Sequence, residues 1–137
     1  MTRPTSLIDM PLAARRGHLT TTPNPAARQD YMVVLEGAFA AGWTDHPVRA
    51  ILRYVADRCV LSLDAYNAYL DALAGGDEPT LEAVVLTLLD DVNNELIPRW
   101  VQVELIAGHG GDCHRVIIED RQPGWDNPSL LARVTAV

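Results

Sequence analysis

LEAVVLTLLDDVNNELIPRWVQVELIAG, residues 81–108, changes its hydrophobic period halfway along, and that change sets the fold. Leu81, Val84, Val85, Leu88, Leu89, Val92 and Leu96 recur at helical spacing, and Thr80 ahead of them is a good N-cap residue. Asp90, Asp91, Asn93, Asn94 and Glu95 make the late turns acidic, against the helix dipole, and helix formation alone gives no reason for this. Pro98 stops the helix, after which RWVQVELIAG alternates as a strand.

Working outward, GHGGD (108–112) reads as a loop and CHRVIIED (113–120) as a further strand. The tail RQPGWDNPSLLARV turns at Pro123-Gly124 and ends in a helical turn. Upstream, Ser62 caps a helix whose stripe is Leu63, Tyr66, Leu70 and Leu73, and GGDEP (75–79) ends it. DYMVVLEGAFA (30–40) and HPVRAILRYVAD (46–57) are strands. In the second, Val48, Ala50, Leu52 and Tyr54 point one way while Arg49, Ile51, Arg53 and Val55 point the other, and CVL (59–61) continues it past a bend. Residues 1–29, rich in Pro, Thr, Ala and Arg, keep no period and read as an extended segment contributing to a pocket. Residues 30–137 then form a single domain. The expectation is an α+β fold: an antiparallel four-stranded sheet in the order ββααββ, with both helices on one face. Its two open edges need partners, so a homo-oligomeric barrel is expected, with sites shared between subunits.

The composition narrows the chemistry. With 137 residues and a net charge of −7, the chain carries eleven arginines and no lysine. Schiff-base catalysis and P-loop nucleotide binding both need a lysine amine and are excluded. Scattered arginines on an acidic chain give no phosphate-tracking stripe, so direct nucleic-acid binding is not expected. Apolar runs are too short to span a membrane and no signal segment opens the chain, which makes a cytoplasmic protein the expectation. Cys59 and Cys113 do not make a disulfide framework.

Several segments resemble the 7-cyano-7-deazaguanine reductases, the QueF family of tunnelling-fold (T-fold) enzymes. YVADRCVLSLDAY is similar to their strand ending YVPD and the lysine-bearing segment after it. LEAVVLTLLDDVNNELIPRWVQV is similar to their H-E-D-C-V-N-x-I-L-D-D-L helix and PRW-V-x-V strand, and TTTPNPAARQD to their T-S-L-C-P with a downstream aspartate. The departures matter as much. On this matching the nucleophilic cysteine falls at Thr22, a hydroxyl without a paired base. Leu63 and Tyr66 stand at or near the cofactor lysines, and Leu81 replaces the family's histidine. NADPH is therefore not expected, and neither is nitrile reduction.

Glu82 is retained, and the resemblance implies that it holds the N–H edge of a purine-like ring through two parallel charge-assisted hydrogen bonds. Thr22 and Asn24 are implied as further substrate-binding residues, and Asp30 matches the reductase aspartate apart from a one-residue insertion. A pocket with a purine anchor but no nucleophile suits decarboxylation of 7-carboxy-7-deazaguanine, as in phage pathways that decorate DNA with deazaguanines. That reaction needs a proton donor and no cofactor, and His109, His114 and Asp30 are the candidates. An amidino or amide transformation of 7-cyano-7-deazaguanine, with Cys113 as nucleophile, and a non-catalytic deazapurine-binding subunit are the alternatives. His109, Cys113 and His114 are also candidate zinc ligands, although at most two can share a metal on a regular strand, with His18 or another chain completing the set. Trp125 is a core or interface aromatic or a stacking platform. Native mass measurement should return a homo-oligomer; a monodisperse 15.0 kDa monomer would refute the shared-edge expectation.

Overall fold

A computed structural model describes residues 12–42, 44–74 and 80–134, except for the His109 side chain. In chain order the elements are a helical turn α1 (residues 12–16), β1 (Thr21–Pro23), β2 (Met32–Phe39), β3 (Val48–Val55) and β4 (Cys59–Leu61). Then come α2 (Leu63–Ala74), α3 (Leu81–Leu96), β5 (Trp100–His109), β6 (Asp112–Arg121) and α4 (Pro128–Leu131). The main sheet has the order β2-β3-β5-β6, antiparallel throughout. Among the described residues no helix is long and apolar enough to cross a membrane.

The alternation expected of β3 holds. Val48, Ala50, Leu52 and Tyr54 are buried on the helix side, level with Val101, Val103 and Leu105 of β5. Tyr66, Leu70 and Leu73 of α2 and Val84, Val85, Leu88 and Val92 of α3 complete that core. Its close packing is visible at Gly37 on β2, where an added Cβ would lie 2.7 Å from the Leu70 side chain. The caps are as expected from sequence: the Thr80 hydroxyl accepts from Ala83 N–H at 3.1 Å, and the Ser62 hydroxyl from Ala65 N–H at 3.1 Å. Ile97 closes α3 in the left-handed region, φ +45°, directly before Pro98.

Three local expectations are corrected. Cys59–Leu61 does not prolong β3; it leaves the sheet and pairs with Thr21–Pro23, held by the Leu61 N–H on the Tyr54 hydroxyl at 2.9 Å. The stretch 108–112 is not a loop but a hairpin with only Gly110 and Gly111 in the turn, so His109 sits opposite Asp112. Glycine is required at both bends: Gly110 has φ +66°, and Gly108 has φ +144° with the Asp112 carbonyl where a Cβ would be, 2.2 Å away. The N-terminal segment is not extended throughout, because residues 12–16 are helical.

The reason for that helical turn also explains part of the acidic run in α3. Asp91 is fully buried and accepts hydrogen bonds from Arg15 Nε at 2.5 Å, Arg16 Nε at 2.6 Å and the Tyr69 hydroxyl at 2.5 Å. On the sheet face away from the helices, Glu104 is similarly enclosed by Arg53 at 2.9 Å and Arg115 at 3.1 Å.

Burial opposes ionisation of Asp91, but hydrogen bonds from Arg15, Tyr69 and Arg16 and the Arg15 charge outweigh it and hold the carboxyl below the ordinary 3.8. Its stabilisation is thus complete above the unfolded carboxylate range and is lost as pH falls through the lower native value. Asp91→Asn leaves two arginines without their counter-charge and should cost about 3–5 kcal/mol in denaturant unfolding. The variant should also lose the corresponding part of the acid limb; an unchanged midpoint and acid limb would show that the network contributes nothing.

Candidate active site

At one end of the sheet, α3 begins beside the first residues of β6. His114 lies opposite Ala107 on the helix side, and its Nε2 is 3.1 Å from Glu82 Oε2 in the first turn of α3. Both side chains are largely exposed. The Glu82 carboxyl is held below its ordinary value, first by its own backbone N–H and then by His114. It is thus an anion at the open end of a helix, with its second oxygen free of this imidazole contact. Two residues predicted 32 positions apart are in contact.

His114, though not Glu82, also lines a cavity of about 630 Å³. One wall is the β5–β6 hairpin, with Ala107, Gly108, Cys113 and His114; the other is the β2–β3 loop, with Thr44, Asp45 and His46. The loop is pinned by Thr44 N–H on the Ala41 carbonyl at 3.1 Å and by the Thr44 hydroxyl on the His46 carbonyl at 2.6 Å. Pro47 then holds His46 away from helical backbone. These loop residues escaped the sequence analysis. Their signal is Asp-His-Pro between two strands, where a titratable pair is stiffened by the proline.

Thr22, Asn24 and Asp30 lie at the other end. Thr22 is exposed on β1, opposite Val60, and Asn24 binds the Asp57 carbonyl, Ala26 N–H and the Tyr31 hydroxyl. Asp30 accepts from Arg99 Nη1 at 3.1 Å, Trp125 Nε1 at 3.2 Å and Asn127 Nδ2 at 3.0 Å. Burial opposes its ionisation, but the Asn127, Trp125 and Arg99 bonds and the Arg99 charge hold its carboxyl below the ordinary 3.8. An anion with its oxygens so occupied accepts protons poorly and delivers none near neutrality. Arg99 also reaches Asp57 and the Ala27 and Gln29 carbonyls, while Gln122 Nε2 donates to Asp57 at 3.0 Å. His114 and Arg121 are seven residues apart on β6, and at about 3.3 Å per residue the two ends are roughly 23 Å apart. Within one chain, therefore, Thr22 does not face Glu82, whose side-chain partner is His114.

His109, Cys113 and His114 are the candidate zinc ligands. Cys113 and His114 are successive strand residues on opposite faces, His114 is on Glu82, and the His109 side chain lies outside the described residues. No group of three His, Cys, Asp or Glu able to hold a metal occurs among the described residues. Nor do the positions matched to the reductase lysines offer a dinucleotide phosphate a cation. Leu63 is an exposed apolar side chain, and Tyr66 is wholly buried with its hydroxyl on the Ala50 carbonyl at 3.1 Å.

No protein-family model matches the chain. The NADPH-dependent 7-cyano-7-deazaguanine reductase of Acidithiobacillus ferrooxidans is 30% identical over 124 residues, covering 83% of this chain and 84% of the relative. That of Nitrosococcus oceani is 30% identical over 120 residues, covering 82% and 92%. Among solved structures, the crystal structure of the archaeosine synthase QueF-Like in the apo form aligns with a TM-score of 0.52 and 18% identity, over 66% of this chain and 91% of that one. The second likeness shows that the fold is the tunnelling fold. The first spans most of both chains at an identity that shows common descent, and the chain belongs to the 7-cyano-7-deazaguanine reductase (QueF) family.

Proposed function

We propose that the protein is a carbon–carbon lyase acting on a 7-deazaguanine base, converting 7-carboxy-7-deazaguanine to 7-deazaguanine in a DNA or tRNA modification pathway. The observation that carries this is Glu82, a carboxylate bonded to His114, which lines a cavity of about 630 Å³, in a chain whose relatives are named for 7-cyano-7-deazaguanine. A guanine-type ring offers an N–H/NH₂ edge, which a carboxylate accepts through two parallel charge-assisted bonds. His114 fixes the orientation of that carboxylate from the side.

Decarboxylation then needs a proton at C7. The C7–H bond forms, the bond to the carboxylate breaks, its electron pair restores the aromatic ring, and CO₂ leaves. NADPH and metal have no part in these steps. Of the three donors expected from sequence, Asp30 is held as an anion at the far end, His114 is engaged with Glu82, and the His109 side chain is outside the described residues. The protein would work in the cytoplasm, that of the host if a phage encodes it.

A homo-oligomer is part of the same proposal. β2 and β6 are the sheet's outer strands and run in opposite directions, so rotated copies can join edge to edge as antiparallel neighbours. One observation favours a second activity. Cys113 is exposed and lines the cavity, where a thiolate could add to a nitrile and give an amidine or amide after attack by an amine or water. A non-catalytic deazapurine-binding subunit is the remaining alternative.

Incubation with 7-carboxy- and 7-cyano-7-deazaguanine separately, followed by product mass, should show CO₂ loss from the first and no change in the second. A nitrile-derived product supports the Cys113 route, and binding without turnover supports the non-catalytic one. Glu82→Gln turns one acceptor oxygen into a donor facing a donor and should weaken 7-deazaguanine binding by about ten- to a hundredfold. Equal affinity of variant and parent by calorimetry would refute Glu82 as the ring anchor.

A further inference from the structure

We propose that His114 binds the ligand as well as Glu82: its Nδ1 accepts an N–H of the base from within the cavity at the β5–β6 hairpin. This rests on the deazapurine reading above and adds a contact to the one assigned to Glu82. A carboxylate of ordinary acidity is ionised at neutral pH and can only accept hydrogen bonds. The proton shared across the 3.1 Å between His114 Nε2 and Glu82 Oε2 therefore belongs to the imidazole. In a neutral imidazole one nitrogen carries the proton and the other is an acceptor. Glu82 thus fixes the tautomer, and Nδ1 keeps an unshared electron pair.

His114 lines the cavity and Glu82 does not. With Nε2 spent on Glu82, Nδ1 is the polar atom that this side chain has left for an occupant. The imidazole is held from both ends, by Glu82 at its tip and by the β5–β6 ladder, where His114 pairs with Ala107, at its root. The surrounding walls suit the same kind of ligand. Asp45 and Asp112 line the cavity with His114, and among the described residues no arginine does. Such walls favour a molecule rich in N–H groups, and 7-deazaguanine carries them on both of its rings.

Glutamine places its amide where Nε2 stands and asparagine where Nδ1 stands, so two variants separate the two nitrogens. His114→Gln keeps a donor for Glu82 but loses the acceptor at the cavity. By calorimetry it should bind 7-deazaguanine about tenfold more weakly than the parent, the loss of one hydrogen bond. His114→Asn keeps that acceptor and should stay within about threefold. Nitrogen-15 NMR of the parent chain, with the imidazole neutral, should show the Nε2–H tautomer and a shift of Nδ1 when 7-deazaguanine is added. Weaker binding by His114→Asn than by His114→Gln, equal affinities of the two variants, or an Nδ1–H tautomer overturns the assignment. Failure of the parent to bind 7-deazaguanine overturns it together with the deazapurine reading. CO₂ release is read separately, so its absence refutes the lyase proposal and not this one.

Discussion

Asp91 is the constraint around which the rest of the domain is arranged. A carboxylate cut off from water stays ionised only if the protein supplies donors, and here Arg15, Arg16 and Tyr69 supply them. One charge thus joins α1, α2 and α3. Leu19, just after α1, lies in the core, and β1 beyond it pairs with β4. Residues 12–29 are consequently part of the domain and not an arm leading up to it.

The two ends of the sheet are built differently, and the difference bears on function. At one end Arg99 gathers Asp30, Asp57 and two backbone carbonyls, while Trp125, Asn127 and Gln122 tie the tail onto the same cluster. Charges there are spent on one another, as befits a clasp between distant parts of the chain. At the other end His114, His46 and Cys113 line an open cavity, and His114 also bonds Glu82 at the start of α3.

The helix-free face of the sheet is a third environment. Arg53 links Gln102 and Glu104, Arg115 closes the other side of Glu104, and the Trp100 indole donates to Glu119 at 3.0 Å. Glu104 is buried although no helix covers it, because long arginine side chains lie across it. Removing it would strand two guanidinium groups, so this face is sensitive to single charge changes even where it is open to solvent.

Period, caps and strand faces were legible because each depends on residues a few positions apart. The stripe from Leu81 to Leu96, the Thr80 and Ser62 caps, and the alternation of Val48, Ala50, Leu52 and Tyr54 are all of this kind. The ββααββ order was legible through the switch of period from two to 3.6 and back. Pairings across the chain were not. Sequence could not say that Asp91, alone in its acidic run, is fully buried, or that Glu82 meets His114. Local hydrophobic pattern decides which face of an element is buried. Only the packing of distant elements decides which charges meet there, because a carboxylate's partner is set by position in space and not by spacing along the chain.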